Sequence, residues 1–330
     1  MTLNVADDPH MTISACIPTY KRPQLLKDAI LSCLAQTRRP DVIYIGDDSP
    51  DDDTEAVVSA MDFPADVQLD YTHNKPGLGQ NENINFLFRK TTTTHLVLLH
   101  DDDLLEPTAL EDLAQCWVTD KGLTAAFGKQ YIISADGLIL PRDTEQVSLA
   151  YYRTSDRAGL QPDWLPGIAG FPNDGYMILT SAAQRTLWRP QREVGDAGDY
   201  DFGFRLCHTH SGFYFIDKPT AKYRLSNSNS ITSSPSTDTA LATYRILAGA
   251  KVCPEAQTYR TRRMLAAAPV AILQATRLGL VTEAEKIYWG EYHPWARRLS
   301  PGGVRRLLAI LWKRVTHKLA KHHDADAIRQ

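Results

Sequence analysis

A chain of 330 residues with 43% hydrophobic and 23% charged side chains and a formal net charge of -3 has an ordinary globular composition, with room for one large α/β domain or two smaller ones. That balance argues against generic nucleic-acid binding, because no excess of positive charge is present to meet a phosphate backbone. The five cysteines, Cys16, Cys33, Cys116, Cys207 and Cys253, stand far apart without a CxxC pair, which argues against a disulfide framework or a thiolate zinc site and for a reducing cytoplasm.

In chain order, "MTLNVADDPHMT" lacks a basic region followed by an apolar core, and no run approaches the ~18 apolar residues of a bilayer span, so neither a signal peptide nor an integral membrane protein is expected. "MTISACIPTY" reads as a first strand, and "QLLKDAILSCLAQT" follows with apolar residues at helical spacing, Leu25, Leu26, Ala29, Ile30, Cys33 and Leu34. "DVIYIGDD" is a second strand ending in carboxylates, "TEAVVSAM" a helix, "VQLDYTHN" a third strand, "QNENINFLFRKT" a helix and "THLVLLHDDD" a fourth strand. "PTALEDLAQCW" is the next helix, with Pro107 suited to its first turn. This alternation predicts a mostly parallel sheet flanked by helices, in which ligands bind beyond the carboxyl ends of the strands. Three of those ends are polar: Pro18 to Lys21, Asp47 with Asp48, and Asp101 to Asp103.

Residues 122 to 225 mix shorter strands, "TAAFGKQYIIS", "GYMILTS" and "GFYFIDKP", with stretches rich in Pro, Gly, Asp and Trp that suit binding walls. "SNSNSITSSPSTDT" reads as a flexible loop or linker. Beyond it the chain is helical, and "PGGVRRLLAILWKRVTHKLAKHH" puts Val304, Leu307, Leu308, Leu311, Trp312, Val315 and Leu319 on one face, with Arg305, Arg306, Lys313, Arg314, Lys318 and Lys321 elsewhere. Such a basic amphipathic helix either lies on an anionic membrane surface or packs on its own domain.

The triplet Asp101 to Asp103 needs an explanation, since adjacent carboxylates raise one another's pKa unless solvent, helix N-termini or a cation offsets the repulsion. One reading is a solvated turn that caps the following helix; the other is a cation site. No GxxxxGK[ST] is present, and "GLGQNE" at Gly77 lacks the third glycine of the dinucleotide fingerprint, so bound phosphates would be held through a divalent cation.

Several segments together resemble the family 2 glycosyltransferases of the GT-A fold: "SACIPTYKRPQLLKDAILSCLAQT", "VIYIGDDSPDDDT", "NKPGLGQNENINF", "LLHDDDLLEP" as the DXD region, and "GDYDFGFRL" for the family's "EDYDLWLRL". The similarity covers about 210 residues in the expected order. It implies a GT-A domain over residues 1–225, with a nucleotide-sugar half near 11–110 and an acceptor half near 111–225, then a linker and helical region over 226–330. The implied reaction is inverting transfer from a nucleoside-diphosphate sugar, UDP favoured, to a glycan or lipid-linked glycan in surface polysaccharide or lipopolysaccharide assembly. The protein would be cytoplasmic, with peripheral contact at the inner face of the plasma membrane.

Carried over residue by residue, the resemblance places Pro18, Thr19, Tyr20, Arg22, Asp47, Asp48, Gly77, Gln80 and Asn83 around the nucleotide sugar. It places Asp101, Asp102 and Asp103 at the diphosphate, where they hold Mn²⁺ or Mg²⁺, and makes Asp199 the general base. Four departures stand out: Gly198 replaces the family's glutamate, which leaves Asp196 as a substitute; "YRLS" replaces "YRxH", which leaves phosphate contacts to Arg224, Ser228 or Asn229; "DDSPDDDT" lacks the glycine of "DDGSTDDT"; and His100 stands where many members have an aspartate. His100 could ligate a metal, but a lone histidine at a strand end is read rather as a hydrogen-bonded structural residue. For the acceptor, Trp164, Phe171, Asn173, Asp174, Tyr176 and Trp188 offer aromatic faces and polar groups, core packing being the alternative for each aromatic. A catalytically inactive GT-A scaffold acting as a binding or assembly protein is the competing function.

Overall fold

The computed structural model describes residues 11–225 and 237–327, with side chains described to residue 316. Nine strands form one sheet: β1 (Ile13–Thr19), β2 (Val42–Asp47), β3 (Gln68–His73), β4 (His95–Leu98), β5 (Leu104–Leu105), β6 (Ala125–Ile133), β7 (Gly159–Gln161), β8 (Met177–Leu179) and β9 (Phe213–Arg224). Helices α1 (Pro23–Leu34), α2 (Asp53–Ser59), α3 (Gln80–Lys90), α4 (Ala109–Thr119), α5 (Pro141–Ala150), α6 (Trp164–Ala169), α7 (Thr180–Thr186), α8 (Gln191–Val194) and α9 (Gly198–Thr209) are interleaved with them. After these come α10 (Thr239–Gly249), α11 (Pro254–Arg277), α12 (Val281–Trp289), α13 (Trp295–Arg298) and α14 (Pro301–Ala327).

The sheet runs β3-β2-β1-β4-β8-β6-β9-β5, with β7 also on β9. β3, β2, β1 and β4 are mutually parallel, whereas β8 lies antiparallel between β4 and β6, so the parallel sheet expected from the first 110 residues becomes mixed in its second half. The near-continuous apolar runs of the central strands follow from burial on both faces. Ile13, Ala15 and Ile17 of β1, Ile43 and Ile45 of β2, and Val97 pack on one face with α1 and α4, while Cys16, Tyr44, Leu96 and Leu98 pack on the other with Ile84, Leu87 and Phe88 of α3 and Phe202 of α9. Each fully buried aliphatic of this kind contributes about 1.5–3 kcal/mol. All five cysteines are free thiols; burial pushes the Cys16 thiol up to about 11 and those of Cys33 and Cys116 up to about 12.

Register aligns the polar strand ends. Thr19 pairs with Asp47, which pairs with His73, and Cys16 pairs with Leu98, so the residues following each strand emerge on one edge. Antiparallel β8 starts at the edge where β4 ends, with Met177 opposite Val97 and the Gly175 amide bonded to the Leu98 carbonyl at 2.9 Å, which delivers Asp174 to the same place. The two-residue strand β5 pairs Leu104 with Lys222 of β9 and so brings the exit of the Asp triplet against Arg224.

By contacts the chain divides into two units, Met1–Gln191 with Gly198–Asn227 and Arg192–Ala197 with Ser228–Gln330. The second is built on α10 to α14 around Leu241, Ala271, Ile272, Tyr288 and Ile310, and it includes the short strap Arg192–Ala197. The linker expected over Ser226 to Thr239 lies mostly outside the described residues. Among the described residues no helix is long and apolar enough to cross a membrane.

Candidate active site

The Asp triplet is not a solvated cap. Asp101 is 5% exposed and Asp103 1%. Asp101 accepts from the Thr19 hydroxyl at 2.8 Å, the Tyr20 amide at 3.3 Å and Arg22 Nη1 at 3.1 Å. Arg22 reaches on to Asp102 Oδ2 at 2.7 Å. Burial raises the Asp101 pKa, with Arg22 opposing and Asp102 adding to the rise.

Asp103 has a different environment. Its Oδ1 accepts from the Arg224 amide at 2.7 Å, and its Oδ2 is buried without a hydrogen-bond partner. Burial and the neighbouring Asp174 push its pKa well above the ordinary carboxylate range, with Asp102 adding to the effect. Asp174 is itself fully buried, accepting from Gln130 Nε2 at 2.8 Å and from the His100 amide at 3.3 Å; Arg153 donates to Gln130 Oε1 at 2.8 Å behind it. The Nε2 of His100 is also buried and unpaired, which corrects the expectation of a hydrogen-bonded structural histidine. Ligand atoms of His100, Asp102 and Asp103 lie within 4.8 Å of one another. The sequence points to the three aspartates for the metal; of these, Asp102 and Asp103 gather with His100, while Asp101 is bonded to Thr19 and Arg22. One imidazole nitrogen and two carboxylate oxygens fit Mn²⁺ or Mg²⁺ as well as softer divalent ions.

Asp199 sits in the first turn of α9, partly buried, and accepts from the Tyr200 amide at 2.7 Å. Burial raises its pKa, His100 lowers it and Asp174 raises it again, so it shares the electrostatic environment of the His100 cluster. Gly198 has a steric cause: an added Cβ would stand 2.8 Å from Asn81 Nδ2 and 2.9 Å from Trp188 Cε3, and that Asn81 nitrogen is bonded to the Arg189 carbonyl at 2.8 Å. The position is closed to glutamate. Asp196 belongs to the second unit, where its carboxylate accepts from the Asp238 amide at 3.2 Å ahead of α10.

Asp47 and Asp48 are held internally. Asp47, fully buried, accepts from Tyr71 Oη at 2.6 Å and the Ser49 amide at 2.8 Å. Asp48 accepts from Asn74 Nδ2 at 2.9 Å and the Gly79 amide at 2.8 Å, tying down the turn through Gly77 and Gly79. Gly77 is required because a Cβ would sit 2.9 Å from the Asp48 carbonyl oxygen, and Gly79 adopts φ +83°. Asn83, placed at the donor by the sequence, is 2% exposed and bonds the Gly46 carbonyl and Asn74, so it braces α3 on β2. Exposed groups at this edge are Tyr20, at 54%, and Gln80, with Pro18 partly buried.

Of the acceptor candidates, Phe171, Tyr176 and Trp188 are core residues, stacked with one another's neighbours such as Phe202 and Phe127. Asn173 accepts from Gln130 at 3.0 Å, and Trp164 opens the short helix α6, partly buried. Arg224 Nε bonds the Asp102 carbonyl at 2.8 Å and its Nη1 the Ala135 carbonyl at 2.9 Å, so it supports the triplet from behind. Ser228 and Asn229 lie outside the described residues.

A parallel half-sheet with an acidic cluster at its carboxyl edge, followed by a mixed half that returns a carboxylate and a helix N-terminus to that edge, is a fold of the GT-A type. Residues 14–173, nearly half of the chain, match the family model for glycosyl transferase family 2. It is 32% identical over 124 residues to an uncharacterised Mycobacterium tuberculosis protein, MT1568, covering 38% of each chain. It is 30% identical over 116 residues to GalNAc(5)-diNAcBac-PP-undecaprenol beta-1,3-glucosyltransferase of Campylobacter jejuni, covering 35% of this chain and 37% of that one. The chain thus spans little more than a third of the length of these curated relatives. The fold matches S. aureus TarS 1-349 in complex with UDP-GlcNAc at a TM-score of 0.58 and 11% identity, over 92% of this chain and 81% of the other. It matches the mannosyltransferase PcManGT of Pyrobaculum calidifontis, in complex with GDP-Man and Mn2+, at 0.54 and 13%, over 94% and 90%.

Proposed function

We propose that this glycosyltransferase moves a sugar with inversion from a nucleoside-diphosphate sugar, UDP favoured, to a hydroxyl of a glycan or lipid-linked glycan, in surface polysaccharide or lipopolysaccharide assembly. The observation that carries the donor-site reading is the gathering of His100, Asp102 and Asp103, with ligand atoms within 4.8 Å of one another, where His100 Nε2 and Asp103 Oδ2 are buried and accept from no donor. Leaving such atoms without partners costs about 1–3 kcal/mol each, more for a charged group, and a bound divalent cation would remove that cost. The UDP-GlcNAc and GDP-Man with Mn2+ bound by the fold relatives, and the lipid-linked acceptor in the name of the Campylobacter relative, support the same reading.

Mn²⁺ or Mg²⁺ held by His100, Asp102 and Asp103 would supply Lewis-acid neutralisation of the departing diphosphate. His100 would replace the histidine that "YRLS" lacks. Arg22, already on Asp101 and Asp102, has the charge and reach to orient the diphosphate. Tyr20, exposed above the Asp48 turn, offers a face for the base. Asp199 would take the acceptor's proton: burial makes its carboxylate a stronger base than a solvated one, and displacement in a single step needs no covalent intermediate.

The helix α14 supports peripheral contact with an anionic membrane. Val304, Leu308, Leu311, Trp312 and Val315 are exposed, Leu308 by 60% and Trp312 by 71%, with Arg305 beside them, while Leu307 turns inward to the core of its unit. The side chains of Lys318, Leu319 and Lys321 are outside the described set.

Thermal unfolding with UDP, dTDP, GDP and CMP, each with and without Mn²⁺, tests the donor site, because a ligand of the folded state raises Tm by mass action. A manganese-dependent rise with one nucleoside diphosphate, lost in Asp103→Asn, is expected. No rise with any of them would contradict the reading and favour a scaffold role.

A further inference from the structure

A second cluster of ligating atoms lies away from the Asp triplet, where β3 ends beside the start of α2. His73 closes β3, Asp52 precedes α2 and Glu55 lies in its first turn. The side chain of His73 is 9% exposed, and its Nε2 lies 2.7 Å from the Ser49 carbonyl oxygen. A carbonyl can only accept, so that nitrogen carries the hydrogen and a neutral ring presents a lone pair at Nδ1. Nδ1 is buried and makes no hydrogen bond; it faces Asp52 Oδ1 at 3.5 Å and Glu55 Oε2 at 3.8 Å. Ligand atoms of all three residues lie within 4.8 Å of one another.

A lone pair aimed at two carboxylates calls for a cation between them. Were that cation only a proton on Nδ1, the charge-assisted bonds would close to about 2.7–2.9 Å. The observed separations are longer and approach those across a tetrahedron with arms of about 2.0–2.2 Å, the lengths of zinc bonds to imidazole and carboxylate. Donation of the opposite ring nitrogen to a backbone carbonyl is also how metal-bound histidines are oriented. From this geometry we infer that His73, Asp52 and Glu55 form a binding site for a divalent cation of the zinc class, distinct from the cluster at His100. The site would join the end of β3 to α2 across Ser49, whose amide is bonded to Asp47. Lys75 Nζ stands 2.7 Å from the same Asp52 oxygen and competes for it.

Zinc titration of chelator-stripped protein against a fluorescent competitor, together with zinc X-ray absorption, tests the site. Zinc uptake with one imidazole and oxygen ligands is expected to survive in a His100→Gln, Asp103→Asn variant. It should weaken by at least about tenfold in Glu55→Gln, vanish in His73→Gln and tighten in Lys75→Ala, which frees the shared oxygen. Glu55 is half exposed, so its variant reads binding even where His73→Gln folds poorly. Uptake unchanged by both Glu55→Gln and His73→Gln, or none in the wild type, would overturn the assignment. So would a His73 ring that NMR shows as a doubly protonated bridge in the presence of zinc.

Discussion

Two pairs of strand-end aspartates look alike in sequence and differ in the folded protein. Asp47 and Asp48, after β2, have both oxygens occupied, by Tyr71, Ser49, Asn74 and Gly79, and they set the shape of the edge. Asp102 and Asp103, after β4, stand with His100 around atoms that have no partner, and burial with Asp174 nearby leaves Asp103 a carboxyl resistant to ionisation. A satisfied carboxylate stabilises a fold; an unsatisfied one stores a cost that a ligand can relieve. In this proposal the first pair shapes the edge on which the second acts.

The largest test of this division is removal of the proposed proton acceptor. Asp199→Asn should lower kcat by ~10²–10⁴-fold with Tm little changed, as measured by steady-state transfer and thermal melts. If turnover were retained, the base would lie elsewhere on the edge. Next, Asp103→Asn should abolish metal-dependent nucleotide binding yet melt at the same or a higher temperature near neutral pH in metal-free buffer, since it removes a carboxyl whose ionisation burial opposes.

The scaffold pair should behave in the opposite sense. Tyr71→Phe, which takes the hydroxyl from Asp47, should cost about 1–3 kcal/mol in denaturant unfolding and weaken nucleotide binding only as the edge loosens. Restoring the family's glutamate, Gly198→Glu, should destabilise by about 1–3 kcal/mol rather than help, through overpacking against Asn81 and Trp188. The smallest expected effect is Trp312→Ser, within about 0.5 kcal/mol in stability but reducing sedimentation with anionic vesicles.

Acidity offers a further test of the triplet. Asp101 and Asp103 have folded pKa values raised above their unfolded ones, so the folded state binds more protons. The stability they contribute is fully present below the ordinary carboxylate range and is lost as pH rises through the raised values. A metal-free Tm profile should show this fall, Asp103→Asn should flatten it, and Mn²⁺ should offset it. For catalysis the sign reverses: kcat/KM should decline as pH drops through the raised pKa of Asp199 and the base takes up its proton.

The parallel half of the sheet was legible because apolar strands buried on both faces and helices of regular spacing leave a periodic trace, as in Ile43 to Ile45 and in Leu26 to Cys33. Convergence of three strand ends followed from the alternation alone. What periodicity cannot carry is whether a given oxygen already has a partner. Asn83 and Asp48 read as ligand contacts, and the sequence could not show that both also accept from Asn74 and that Asn83 donates to the Gly46 carbonyl. His100 looked structural, and its freedom depends on Asp174, 74 residues away, which meets its amide rather than its ring. Strand β5 is two residues long, too short to signal itself, yet its pairing with β9 is what sets Arg224 on Asp103.

The central claim is that His100 and Asp103 are unpaired because a cation completes them. Pulsed electron paramagnetic resonance of Mn²⁺ with a nucleoside diphosphate, on protein labelled with ¹⁵N-histidine, tests it most directly. A histidine nitrogen coupled to manganese in the wild type and in His73→Gln, but absent in His100→Gln, is the predicted result. Manganese bound with no histidine coupling, or a coupling that persists in His100→Gln, would contradict the account.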